Sequence, residues 1–448
     1  MEGTTINIYI TTMGCAKNAV DSEHMAGYLS RAGHRICESL DQAEAAIINT
    51  CGFIQPAVEE NIEAILELIA YKESGKLSCL IVAGCLSQRY QRDLAAEFPE
   101  VDGFVGTGEY ERIAMILEQA MAGGRPESYQ LASGYRTNLP RVSLQPGPSA
   151  YLKVAEGCPR RCSYCVIPTI RGPLRSRQIE EIVTEAEALV AQGVKEIILV
   201  AQDTTAYGLD LAQRSLLPNL LNQLADIPEL AWIRFLYAYP ELVDDRLLTV
   251  MAQQPKVCPY LDLPLQHISP RILRSMGRSG GGSRYLRLIE QIRRHLPRVA
   301  LHSTFIVGYP GETEAEFAEL LEFVDEVKFN QLAVFTFYPE EGTKAATLPD
   351  QVPSEIARER MHRLTDLQAV IAAEQNQLRV GTLETVLVES VVPSEQLFTG
   401  RSKFEAPEID AVFSCQVKPG ERLPQVGEIV RVRITDADSQ ILSAIVED

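Results

Sequence analysis

Three cysteines, Cys158, Cys162 and Cys165, stand in the stretch EGCPRRCSYC, with three residues between the first pair and two between the second. Thiols this close in one short loop suit metal binding. Three thiolates are one short of the four ligands that close a structural zinc site, and no histidine nearby supplies the fourth. An iron-sulfur cluster held by three thiolates keeps one iron free for a reactant. Cys15 in ITTMGC, Cys51 in INTCGF and Cys85 in IVAGC each follow a β-forming run. Strands of one parallel sheet end on the same side, so these distant positions can converge beyond its carboxyl edge, where a second cluster is expected. Zinc at the first set, and buried inert thiols at the second, are the alternative readings. Cys37, Cys79, Cys258 and Cys415 lie in apolar or strand-like contexts without matching partners and read as buried; Cys79 precedes its run and so belongs at the opposite sheet edge.

The elements that must position these residues fall into three regions. From residue 5 to about 125, the runs INIYITT, AAIINT, CLIVAG and VDGFVGTG alternate with helical stretches, one over Lys17–Arg31 and one after Pro56, which implies a parallel sheet flanked by helices. Residues 126–149, rich in Gly, Pro and Ser, read as a linker. Over 150–374 the alternation restarts with YLKVAEG, EIILVAQ, WIRFLYA, YLDLPLQ, LHSTFIVGY and QLAVFTFYP, six βα units that fit a partial barrel. The first cysteine set then lies in the loop after the first barrel strand, on the face where barrel enzymes build their sites. Thr313 followed by Glu316 predicts a capped helix start, and a long helix is expected over Ser354–Leu378. Residues 375–448 carry the short strands ETVLVESV, AVFSCQV, EIVRVRITDA and ILSAIVE between Gly and Pro, the pattern of a small all-β barrel.

Composition bounds the function. A chain of 448 residues exceeds the roughly 100 to 200 residues of one domain. No apolar run approaches the about 20 residues a bilayer requires and the N-terminus has no secretory pattern, so the expected compartment is the cytoplasm. There, ten cysteines favour metal or catalytic roles over disulfides. The net charge of −18 argues against a broad nucleic-acid footprint and fits a basic protein partner.

The Cys-x3-Cys-x2-Cys motif in a first βα loop, with Tyr164 before the last cysteine, resembles the signature of radical S-adenosylmethionine enzymes. The order of parts resembles the methylthiotransferases over essentially the whole chain. That resemblance implies two 4Fe-4S clusters, an auxiliary one on Cys15, Cys51 and Cys85 and a radical-generating one on Cys158, Cys162 and Cys165, with S-adenosylmethionine on the latter's open iron. It implies no catalytic side chain beyond these ligands, a C-terminal domain of the TRAM type that binds the substrate macromolecule, and a need for reducing electron and sulfur donors. The stretches YLDLPLQHISPRIL and RSKFEAPEIDAVF resemble the branch that thiomethylates the β-carbon of an aspartate in small-subunit ribosomal protein number twelve. Residues 376–448 hold 7 Lys or Arg against 12 Asp or Glu, which suits a basic protein better than RNA. Two other classes stand beside this reading: a transfer RNA methylthiotransferase acting on isopentenyladenosine, and a non-enzymatic cluster scaffold or electron carrier.

By the same resemblance Tyr164 sets its backbone against the adenine, Gln202 and Asp203 meet the cofactor's amino group, and Gly308 in IVGYPGE turns beside the adenosine. Asp203 as a capping residue is the plainer alternative. Gln266 and His267 end the fourth barrel strand and are expected at the same mouth, against a purely structural histidine. Arg160, Arg161, Arg171, Arg175 and Arg177 crowd the cluster loop; a local role, against cluster, cofactor or substrate carboxylate, is expected over phosphate contacts. The glycines of MGRSGGGSRY suggest a mobile loop able to close over a docked segment.

Overall fold

The computed structural model describes residues 5–132, 139–418 and 420–447, so that part of the expected linker, 133–138, lies outside the described residues. The first sheet contains β1 (Asn7–Thr12), β2 (Arg35–Ile36), β3 (Ala45–Thr50), β4 (Cys79–Gly84), β5 (Gly103–Val105) and β6 (Glu127–Ser128), all parallel in the order β2-β1-β3-β4-β5-β6. It thus extends past residue 125. Every residue of β3 and β4 is buried, as expected of central strands covered on both faces. Helices α1 (Ala16–Arg31) and α4 (Ile113–Met121) cover one face through Met25, Leu29, Ile113 and Leu117; α2 (Gln55–Glu73) and α3 (Cys85–Glu97) cover the other through Ile65, Ile69, Leu86 and Leu94. Strands β1, β3 and β4 are neighbours, and their register pairs Thr12 with Asn49 and Thr50 with Gly84. Their carboxyl ends therefore stand side by side. Cys79 pairs with Ala45 at the far edge.

The central region repeats the alternation. Strands β7 (Ser149–Lys153), β10 (Glu196–Val200) and β11 (Trp232–Phe235) form one parallel sheet; β12 (Tyr260–Gln266), β13 (Ala300–Val307) and β14 (Gln331–Thr336) form another; β8 (Ala155–Glu156) and β9 (Arg175–Ser176) pair across the cluster loop. Backbone bonds from Cys258 N–H to Ile233 O (2.8 Å) and from Ala238 N–H to Asp262 O (2.9 Å) stitch the two sheets into six strands in chain order, the open barrel expected. The Thr313–Glu316 capping box is present, and the long helix runs over Ser354–Gln377.

Residues Leu383–Val392 (β15), Leu397–Arg401 (β16), Val412–Gln416 (β17), Ile429–Ala437 (β18) and Ile441–Val446 (β19) close into a five-stranded barrel. Strand β16 has no counterpart among the strands expected from the sequence, because its five residues LFTGR carry Gly400 next to the last position, where a glycine suggests a turn. Side chains alternate along a strand, so Ile197 and Leu199 pack under the helices while Ile198 and Val200 face the other way. There they meet Trp232 and Tyr260, Leu387 and Ala406 of the C-terminal barrel, and Ala16 beside Cys15.

Buried charges fix the same seam. The Glu196 carboxylate accepts from Arg234 Nε (2.8 Å) and Arg401 Nη2 (2.7 Å), and Arg234 also donates to the carbonyls of Ser402 (3.3 Å) and Lys403 (3.1 Å). Burial opposes ionisation of Glu196, but the two guanidinium groups outweigh it and hold the carboxyl down at about 2. The RSKFEAPEID stretch thus docks one domain on another.

Candidate functional site

Cys15 is the N-cap of α1, Cys51 directly follows β3, and Cys85 opens α3 directly after β4. Three adjacent strand ends thereby deliver the three thiols to one place, two of them at helix N-termini whose partial positive charge favours thiolates. Gly14 permits the approach: its φ is 93°, and a Cβ there would stand 2.7 Å from Cys51 Cβ. Burial opposes ionisation of Cys15, but Lys17 and Arg171 outweigh it and hold this thiol below its ordinary value. Burial raises Cys51 and pushes Cys85 up to about 12, with the charges of Cys15 and Cys51 adding to the effect on Cys85. The three groups are close enough to sense one another.

Cys158, Cys162 and Cys165 lie in the loop after β8. That loop is pinned by Cys158 N–H to Gly172 O (3.1 Å), Cys165 N–H to Cys162 O (3.1 Å) and Ser163 N–H to Met276 O (2.9 Å). Burial pushes Cys158 up to about 11 and Cys165 to about 12. Thiolates at such positions need a cation, which cluster iron supplies. Among the described residues no three cysteine, histidine or carboxylate groups converge as ligands of one metal ion do. That spacing is compatible with a cluster, because each thiolate binds a different iron.

Arg171, at the end of the short helix α5 (Ile167–Arg171), joins the two cysteine sets. Its Nη2 reaches Cys85 Sγ (3.2 Å) and Asn18 Oδ1 (2.5 Å); its Nη1 reaches Asp21 Oδ2 (2.8 Å) and Glu156 Oε2 (3.1 Å). Lys153 pairs with the same two carboxylates, at 2.6 Å to Glu156, and Tyr110 donates to Asp21 (2.9 Å). Burial opposes ionisation of Glu156, yet Arg171 and Lys153 hold it well below the usual carboxylate range. Cys85 packs on Val166 and Ile170, so the N-terminal domain rests directly on the radical loop. Arg171→Met leaves Asp21 and Glu156 buried with Lys153 as their shared cation. It is expected to destabilise the protein by about 3–5 kcal/mol, read by denaturant unfolding; a change under about 0.5 kcal/mol, the scale of an ordinary surface substitution, would contradict the network's role.

The remaining loop arginines are also engaged locally, Arg160 with Asp203 (2.9 Å), Arg177 with Glu185 (2.6 Å) and Arg175 with the Arg171 carbonyl (3.1 Å), while Arg161 is exposed. Tyr164 packs against the barrel core. Gln202 donates to Glu156 Oε1 (3.0 Å), leaving its own Oε1 buried without a donor, an acceptor suited to an ammonium group. Asp203 caps a short turn through Ala206 N–H (3.0 Å) and holds Arg160. Gln266 ends β12 at φ 71°, a left-handed conformation that a non-glycine residue adopts only where its surroundings hold it.

His267 is fully buried and commits both ring nitrogens inside the protein: Nδ1 accepts from Ser269 N–H (2.9 Å) and Nε2 meets Glu312 Oε1 (3.1 Å). Its ring supports the turn at Gly308, whose N–H donates to Glu312 and whose missing Cβ makes room for Ala357 of the long helix. The Gly-rich loop packs closely at one point. A Cβ on Gly277 would stand 2.9 Å from the Arg161 carbonyl, so this glycine serves close packing against the cluster loop.

Residues 152–324 match the Radical SAM superfamily, 7–106 the uncharacterized protein family UPF0004 and 380–446 the TRAM domain. The chain is 46% identical to the ribosomal protein uS12 methylthiotransferase RimO of Pelotomaculum thermopropionicum over 96% of each chain, and 44% identical to that of Geobacter sulfurreducens over 100% of each. The RimO of Syntrophomonas wolfei is 46% identical over 91% of this chain and 93% of its own. Among solved structures, the radical S-adenosylmethionine methyltransferase TsrM from Kitasatospora setae, with cobalamin and a 4Fe-4S cluster bound, has a TM-score of 0.56 over 76% of this chain and 74% of its own at 15% identity, a likeness of fold. With its strand-end cysteines, its open barrel and this full-length kinship, the chain belongs to the RimO family of radical S-adenosylmethionine methylthiotransferases.

Proposed function

We propose that Cys158, Cys162 and Cys165 hold the cluster that acts on S-adenosylmethionine, that Cys15, Cys51 and Cys85 hold an auxiliary cluster, and that the work divides among residues 1–125, 150–374 and 375–448, joined by 126–149. The chain is a radical S-adenosylmethionine methylthiotransferase of ribosomal protein uS12, with S-adenosylmethionine and 4Fe-4S clusters as cofactors. Its full-length identity of 43–46% to enzymes of that name carries this conclusion and disfavours the transfer RNA and scaffold alternatives. The target is the β-carbon of an aspartate, where a thiomethyl group replaces hydrogen. Reducing electron and sulfur donors complete its partners.

When bound, the clusters and S-adenosylmethionine supply a 5'-deoxyadenosyl radical and the sulfur to be inserted. The chain's own residues bind, orient and exclude water. Gln202 Oε1 would accept from the cofactor's amino group, and the Tyr164 backbone and the Gly308 turn would flank its adenosine, with Gln266 and His267 shaping that wall. The partly buried Tyr164 ring and the Gly277 contact hold the loop against the barrel. Among the described residues no helix is long and apolar enough to cross a membrane, and we place the protein in the cytoplasm.

The anaerobically reconstituted enzyme, offered the ribosomal protein and an isopentenyladenosine-containing transfer RNA in parallel, is expected to add a thiomethyl mass to the protein alone. A gain on RNA alone overturns the assignment.

A further inference from the structure

At the rim of the cluster loop two guanidinium groups lie over one aromatic ring. Arg160 Cζ is 3.7 Å and Arg278 Cζ 4.4 Å from the centroid of Tyr239. Arg160 follows Cys158 by two residues and donates its backbone N–H to that sulfur (3.4 Å); Arg278 follows Gly277, whose close approach to Arg161 brings the Gly-rich loop against the same segment.

Their hydrogen-bond donors are incompletely used. Arg160 Nε binds Asp203, but its Nη2 is buried without an acceptor. Arg278 Nη2 donates to the Pro264 carbonyl (2.7 Å), its Nε is buried without an acceptor, and Tyr164 and Cys162 lie close enough to favour its charged form. Glu241, on the neighbouring turn, accepts from Ser279 Oγ (2.5 Å), and its Oε2 is buried without a donor, so it makes no ion pair with either guanidinium. Two cations therefore share the ring, with Asp203 as their one ion-paired carboxylate among the described residues. Each guanidinium thus keeps N–H groups that no acceptor on the protein takes, donors that a negatively charged group from outside the chain can use. Planar N–H donors match a carboxylate, and the ring restricts their rotation.

We propose that Arg160 and Arg278, held over Tyr239, take the side-chain carboxylate of the aspartate being modified through their guanidinium N–H groups. This deepens the functional reading above and rests on it. The group so held is bonded to the carbon that loses hydrogen, so the clamp fixes the reacting atom one bond away. It also supplies specificity, since an isopentenyladenosine side chain has no carboxylate to offer.

The test uses oxidised holoenzyme with S-adenosylmethionine and no reductant, so that binding is measured without turnover. Fluorescently labelled ribosomal protein, with the target aspartate intact or replaced by asparagine, is titrated by anisotropy against unaltered enzyme and against Arg278→Gln. The unaltered enzyme is expected to prefer aspartate by about 10- to 100-fold, the range for losing hydrogen bonds to a charged group. In Arg278→Gln the preference is expected to fall to about twofold or less. Arg278→Lys, which keeps the charge and loses the fork, is expected to fall between and serves if the glutamine variant fails to hold its iron. An equal preference in all three proteins overturns the proposal. So does weakened S-adenosylmethionine binding with the preference intact, which assigns the donors to the cofactor's carboxylate instead. If the unaltered enzyme does not modify the ribosomal protein at all, the functional reading fails and this inference with it; modification with an unchanged preference sinks this inference alone.

Discussion

Cys158→Ala is expected to abolish reductive cleavage of S-adenosylmethionine, with 5'-deoxyadenosine falling to background in an anaerobic assay with dithionite. Only three thiols serve this loop, so the change leaves two, below what holds a cluster with one open iron. The fold has little reason to fail. Cys158 is partly exposed, and the Ser163–Met276 and Ala345–Ser163 backbone bonds that pin the loop do not involve its side chain. Stability is therefore expected within about 0.5 kcal/mol of the unaltered apoprotein. Persistent cleavage by this variant would remove the ligand assignment, whereas loss of folding together with activity would assign Cys158 to structure.

Cys51→Ala is expected to separate the two halves of the reaction. Of the N-terminal set, Cys85 touches the radical loop through Arg171 and Ile170, while Cys51 faces Gly14 and the loop after β3. Its loss should leave S-adenosylmethionine cleavage in place, cut bound iron to roughly half and stop thiomethyl formation on the ribosomal protein. Iron analysis, 5'-deoxyadenosine and product mass read these three outcomes on one preparation. Unimpaired sulfur insertion would reject the two-cluster arrangement.

Much of this was legible in the sequence because it is carried by local rules. Cys15, Cys51 and Cys85 each follow a β-forming run, and parallel strands share an end, so their convergence follows from connectivity. The Thr313 cap and the six central strands likewise announce themselves within a few residues. What was not legible depends on contacts between distant segments. Arg171 reads as one of five loop arginines, yet its partners Asn18 and Asp21 lie 153 and 150 residues away and no spacing connects them. His267 ends a barrel strand, which suggests the mouth; its ring turns to Glu312, 45 residues on, because a buried imidazole must satisfy both nitrogens. The glycines at 277 to 281 suggest looseness; that one of them, Gly277, packs on the Arg161 backbone depends on a segment far earlier in the chain.

One clasp sets a boundary condition on what can be modified. Because Arg234 and Arg401 share Glu196 across the seam, the C-terminal barrel cannot swing toward or away from the cysteine loop without stripping a buried carboxylate of its cations. It acts as a fixed gauge: were a macromolecule to dock on it, only a segment long enough to cross that span would reach the cysteines.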